Sequence, residues 1–268
     1  MKQFFSFSFI ILLSAFVFFS CQKEQAPRSS VISEEVMNQV RAMGFSIDGL
    51  QAVDGGYLVE GDIFFSTEQL GQKFNGSNLI IAQEEQYRTT NLVKGLPRTI
   101  TVSLDSRLNG TPGYPQALQT MVSRYNALNL QIKFQIVSSN AAVSFVNGSG
   151  SFLASAGFPT SSGNPYNKIT INSNAIGQGT SSTFINYAAT IMAHEMGHSV
   201  GFRHTDYMNR AYSCGGSAVN EGAGTVGAIH IPGTPTSPDS RSWMLACIGS
   251  GVNRPFNAND QTALNYIY

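Results

Sequence analysis

The chain has 268 residues, 42% of them hydrophobic and only 12% charged, and its formal net charge is zero. A chain so balanced lacks the basic surplus that binds nucleic acid or an acidic lipid face, so neither is expected as a partner. Low charge together with abundant Gly, Ser, Asn and Thr fits an exported protein.

Met1 and Lys2 precede an apolar run from Phe4 to Phe19 that is broken only by serines. The run is too short and too near the terminus for a comfortable membrane span, and it predicts a secretory signal over residues 1–20. Ser20-Cys21, followed by polar Gln22-Lys23-Glu24, resembles a bacterial lipoprotein signal, with Phe18 and Phe19 departing from the usual pattern. The resemblance implies lipid on Cys21 and a tethering linker over 21–30. The expected location is a bacterial outer membrane or cell surface, or otherwise the medium, with the lipid as the only membrane contact. Lipid on Cys21 leaves Cys214 and Cys247 as one pair, and export makes a disulfide chemically reasonable. Two separate buried thiols are the alternative.

Residues 31–95 read as a small accessory segment ahead of the main domain. Ser33-Glu34-Glu35 opens a helix to about Met43, with Val36, Val40 and Met43 on one face and Gly44 as its stop. Gln51 to Glu60 reads as two strands around Asp54-Gly55-Gly56, and Gly61-Asp62 follows. Arg88, Lys94 and Arg98 fall in a predicted linker, where they are candidate processing points. Residues 96–268 are long enough for one domain with its own core. Thr99–Leu104, Leu130–Val137, Ala142–Val146 and Lys168–Asn172 are predicted strands, and a helix beginning near Pro115 carries Ala117, Leu118, Met121, Val122, Tyr125 and Leu128 at helical spacing. Phe152–Ala156 and Phe145–Gly148 are both candidates for the sheet edge. Ile231–Asp239 is loop, and Asn259-Asp260 are expected to cap a short helix over 261–266.

Three of the chain's four histidines lie in His194-Glu-Met-Gly-His198-Ser-Val-Gly201-Phe-Arg-His204-Thr-Asp206. The apolar run Thr183–Ala193 predicts a buried helix that delivers this stretch to a cleft. His194 and His198 are four apart and share a helical face, so both imidazoles reach one ion. Gly201 can take the positive φ that ends a helix and turns the chain back, which would bring in His204. Three histidines leave a position open for water, as in a catalytic rather than a structural zinc site. Glu195, beside that position, suits a general base. Asp206 is expected either to hold a ligand histidine through its other N–H or to cap the following loop. His230 reads as a loop residue.

The motif resembles that of metzincin metalloproteases. The resemblance implies an α+β catalytic domain with a twisted mixed sheet, two long helices and a C-terminal helix, preceded by the small pro-like segment. It implies Zn2+ as cofactor and a protein or peptide substrate lying along the edge strand. Met244 matches by position the methionine that packs beneath the three histidines of that family, and Ala246 stands where astacin-like enzymes have a tyrosine. Val59-Glu60-Gly61-Asp62 is similar to the astacin pro-segment stretch F-x-G-D, with Val59 for the phenylalanine. That similarity implies Asp62 as a latency ligand; a plain turn in an accessory domain is the alternative. His-Glu-Met-Gly-His with Gly-Phe-Arg-His-Thr-Asp, Ile-Pro-Gly-Thr-Pro-Thr and Ser-x-Met-x-x-Cys together resemble the dual-action HEIGH metallo-peptidases. The expected activity is zinc-dependent endopeptidase cleavage by an activated water. The rival reading is a lipid-anchored binding protein with a structural zinc.

Overall fold

The computed structural model describes residues 32–70, 86–222, 227–235 and 237–268. The signal run, Cys21 and the 21–30 linker lie outside these residues. Helix α1 (Glu34–Ala42) begins where the Ser33 hydroxyl accepts from the Val36 amide, with Glu34 and Glu35 in its first turn, where the helix dipole favours acids. It ends before Gly44, at φ +84°. Strands β1 (Gln51–Val53) and β2 (Gly56–Val59) form the expected hairpin, and β3 (Ile63–Ser66) adds a third antiparallel strand that leads into the short helix α2 (Thr67–Leu70). Val40, Met43, Phe45, Val59, Ile63 and Phe65 close a small apolar core together with Phe158 from farther along the chain.

The remaining elements are β4 (Tyr87–Arg88), β5 (Arg98–Leu104), α3 (Ser106–Gly110), α4 (Tyr114–Asn126), β6 (Ile132–Ile136), β7 (Val143–Asn147), β8 (Ala154–Ser155), β9 (Lys168–Ile171), α5 (Ser173–Ile176), α6 (Ser182–Val200), α7 (Ala211–Cys214), β10 (Ile229–His230) and α8 (Ala258–Ile267). The main sheet runs β6-β5-β7-β9-β8, with the first four strands parallel and β8 antiparallel to β9. With α4, α6 and α8 it makes the expected α+β architecture. The edge is β8, inside the 152–156 candidate; residues 145–147 belong to interior strand β7. Ile100, Val102, Phe145, Ile169 and Ile171 from the sheet share one core with α4 and α6. Tyr125 Oη donates to the Ala193 carbonyl at 2.9 Å, and Arg124 donates to Thr190 and Asn186 at 3.1 Å each, fixing α4 against α6.

The C-terminal helix starts earlier than expected. Its cap is Asn257, whose side-chain oxygen accepts from the Asn259 and Asp260 amides while Asp260 accepts from the Asn257 amide, a reciprocal capping box. The Asp260 carboxylate also accepts from Gln86 Nε2 at 2.7 Å, Ser242 Oγ at 3.0 Å and the Trp243 amide at 3.3 Å. Burial pushes it up to about 7 against the pull of these donors.

Arg88, Lys94 and Arg98 do not lie in a linker. Arg88 is in β4, Arg98 is in β5, and the Lys94 amide donates to the Gly163 carbonyl at 3.0 Å. The surrounding polar letters hide a packed segment: Gln86, Tyr87, Thr89 and Val93 are all buried. The Thr89 amide donates to Gly201 O at 2.8 Å, and the Arg203 amide donates to Tyr87 O at 2.9 Å. The described residues between Ile32 and Tyr268 cluster as one compact unit. Among the described residues, no helix is long and apolar enough to cross a membrane.

Candidate metal centre and active site

Helix α6 begins with the Ser181 hydroxyl accepting from the Phe184 amide, and runs buried from Tyr187 to Val200. Gly201 ends it at φ +110°. A side chain there would be strained and would also press on Leu92 and Asn91. The chain reverses at this point, with the Phe202 amide donating to Gly197 O at 2.8 Å and the Thr205 amide donating to Met244 O at 2.9 Å. Residues 203 and 205 are thus pinned on both sides of His204, which faces the two helical histidines.

His198 Nε2 lies 3.1 Å from His194 Nε2 and 3.2 Å from His204 Nε2. In a tetrahedral zinc site with bonds of about 2.0–2.1 Å, ligand atoms stand roughly 3.3–3.4 Å apart. Each ring's other nitrogen faces an acceptor at hydrogen-bond distance. His194 Nδ1 faces the Trp243 carbonyl at 2.9 Å, His198 Nδ1 the Phe202 carbonyl at 2.9 Å, and His204 Nδ1 both oxygens of Glu221 at 3.0 Å. Those acceptors demand the N–H at Nδ1, which leaves three Nε2 lone pairs converging. Burial, then the His194 and His204 rings, hold His198 well below the ordinary histidine range, which keeps its lone pair free. The donor set therefore fits a divalent, imidazole-binding metal.

Asp62 joins the three rings. Its Oδ2 is 3.1 Å from His204 Nε2 and 3.4 Å from His194 Nε2. Burial acts to raise its pKa, but the three histidines outweigh burial and hold it well below the usual carboxylate range. The segment carrying Asp62 also lies along the sheet edge. Ala156 donates to Asp62 O at 3.0 Å, and Phe64 donates to Ala156 O at 2.9 Å, a parallel pairing beside β8. Glu195 is buried, with Oε2 lacking any hydrogen-bond partner among the described residues. Burial, then the Asp62 charge, raises it well above the usual carboxylate range.

The supporting residues fall as follows. Met244 is fully buried, and a Cβ on Gly197 would meet its Sδ and the Trp243 ring at 2.5 Å each. The turn is therefore pressed against the helix between the two helical histidines. Asp206 takes the second of its expected roles. It accepts from Ser213 and from the Ala246 amide at 2.9 Å, tying the loop after the motif to the Met244 turn. Cys214 and Cys247 form a disulfide across the same junction. The carboxylate behind His204 is Glu221, which the sequence reading missed. Only three acids follow Asp206 in this weakly charged chain, and that scarcity is the one signal that could have marked it. His230 sits in β10, with Nε2 3.0 Å from Thr234 Oγ1.

Behind the metal centre, Arg203 is fully buried, with Nη2 3.4 Å from Glu60 and 4.0 Å from Glu221, and its guanidinium stacks 4.9 Å from the Phe45 ring centroid. Burial and then Glu221 raise Glu60, against the opposing pull of Arg203 and His204. Glu60 and Phe45 belong to the N-terminal segment, so the same arginine serves both parts of the chain.

No curated protein matches the chain. Among solved structures, one of myroilysin is similar at 16% identity over 66% of this chain and 96% of that chain, with a TM-score of 0.43. A second, a crystal structure of myroilysin, is similar at 14% identity over 79% and 94%, with a TM-score of 0.38. The family of dual-action HEIGH metallo-peptidases matches residues 57–268, a span that takes in the whole histidine motif and Asp62. The chain belongs to that family and is a metallo-peptidase.

Proposed function

We propose that this chain is a zinc-dependent endopeptidase whose N-terminal segment holds it latent through Asp62. The observation that carries the reading is the convergence of three Nε2 atoms, each with its Nδ1 committed to an acceptor, beside a buried and unpartnered Glu195 oxygen. His194, His198 and His204 are the metal ligands. Zinc bound there supplies Lewis-acid polarisation of a carbonyl and acidifies water. Glu195 takes the proton from the attacking water and passes it to the departing amine. An extended substrate would use the outer edge of β8 and Ala156, the edge where Asp62–Phe64 now pairs with Ala156.

Two devices support latency: a carboxylate at the position that water needs, and a strand on the substrate's edge. The part that can leave without dismantling the body ends before Gln86, because β4 pairs with β10 and the following residues bond to Gly201. Export and a lipid on Cys21 complete the proposal. The Cys214–Cys247 disulfide supports export, since such bonds persist in oxidising compartments. An exported protein with an unmodified Cys21 would contradict the lipid.

Digestion of casein by the zinc-loaded Asp62→Ala chain tests the activity. Cleavage should stop with a chelator and return with zinc; cleavage indifferent to chelator would end the reading. Glu221→Gln is expected to weaken zinc binding about 10–100-fold, measured by chelator competition. An unchanged affinity would remove Glu221 from the site.

A further inference from the structure

A cleft of about 220 Å³ opens directly beside His194 and Glu195. Its lining includes the apolar residues Leu153, Ile191, Leu245 and Ile248 and two arginines, Arg210 and Arg254, with Asp62 and Glu195 at the metal-centre end. The two arginines are not equivalent. Arg210 Nε lies 3.7 Å from the Glu221 carboxylate, which also serves His204 and Arg203. Among the described residues, no carboxylate lies within ion-pair distance of Arg254. Its Nη1 donates to the Cys247 carbonyl at 2.9 Å, and its backbone amide donates to Thr190 Oγ1 at 3.1 Å. Its Nε and Nη2 have no hydrogen-bond partner among the described residues. Asp206 and Asp260 act on it electrostatically from beyond ion-pair distance, and other donors hold both carboxylates. Asp206 accepts from Ser213 and Ala246, and Asp260 accepts from Gln86, Ser242, Trp243 and Asn257.

We propose that Arg254 makes this cleft a selector for aspartate or glutamate flanking the scissile bond, so that acidic segments of polypeptides are the substrate class. The proposal rests on the endopeptidase reading above. A guanidinium keeps its charge at any working pH and offers a planar fork that matches a carboxylate. Apolar walls weaken solvent screening and so strengthen the pairing. A lysine or arginine side chain placed beside Arg254 in the same cleft would meet a like charge, which adds rejection to preference.

The test compares matched peptides that differ only at a flanking residue, Glu, Gln, Leu or Lys, using the zinc-loaded full-length chain and its Asp62→Ala variant. The Glu peptide should exceed the Gln peptide in kcat/KM by about 10-fold, the size of one partly screened ion pair. Arg254→Gln should bring that ratio to about one, and Arg254→Lys should keep part of it. The ratio in the parent chain should fall as salt rises, a readout that needs no variant to fold. No Glu preference, a preference that survives in Arg254→Gln, or a ratio indifferent to salt would overturn the inference while leaving the endopeptidase intact. Failure of both chains to cut any of the peptides would overturn the endopeptidase reading and this inference with it.

Discussion

Replacing Glu195 with glutamine in the activated protein is expected to lower kcat by about 10²–10⁴-fold while zinc stays bound one per chain. The change keeps the size of a buried side chain whose Oε2 has no hydrogen-bond partner among the described residues, so it removes a proton acceptor without removing a structural bond. The three histidine Nδ1 contacts, to Trp243, Phe202 and Glu221, do not pass through Glu195. Metal affinity and thermal stability should therefore hardly move. A purely structural zinc site would give the opposite pattern, with the protein's activity indifferent to the residue. Steady-state kinetics with parallel metal analysis reads both; full activity in the glutamine variant would exclude Glu195 as the base.

Replacing Asp62 with alanine in the uncleaved chain should raise peptidase activity by at least about 10-fold, the effect of a 1.4 kcal/mol shift away from the closed form. Asp62 Oδ2 sits 3.1 Å from His204 Nε2 and 3.4 Å from His194 Nε2, and among the described residues of the segment no other carboxylate joins all three rings. The gain should be incomplete, because the segment has two further holds. One is the backbone pairing of Asp62 and Phe64 with Ala156. The other is the buried contact of Glu60 with Arg203. Breaking a buried pair from one side costs several kcal/mol, so Glu60→Gln combined with Asp62→Ala should exceed either change alone. Activity equal to wild type in both variants would show that this carboxylate does not govern access.

The histidine centre was legible in the sequence because its geometry is local. Helical spacing fixes His194 against His198, and only glycine tolerates the φ of +110° found at position 201. The chain reversal then has few ways to place His204. Met244 was legible from the resemblance, and the cysteine pair from the expectation of export. The strands of the main sheet were legible by alternation, but which one lies at the edge was not, since order within a sheet is set by long-range pairing. Glu221 was missed because it reaches His204 from an irregular loop seventeen positions away, with no periodicity to mark it. Asp206 was the nearer candidate, yet the Ser213 hydroxyl and the Ala246 amide claim its oxygens. The stretch around Tyr87 looked like a linker because its neighbours are polar. Its burial arises from a strand partner, β10, that lies far along the chain, and single-strand patterns cannot show this.

Zinc K-edge absorption on the full-length, zinc-loaded chain tests the central arrangement most directly. Three imidazole nitrogens and one oxygen should surround the metal, and the nitrogen count should fall by one in His204→Ala. A shell containing sulfur, or one that His204→Ala leaves unchanged, would contradict the account.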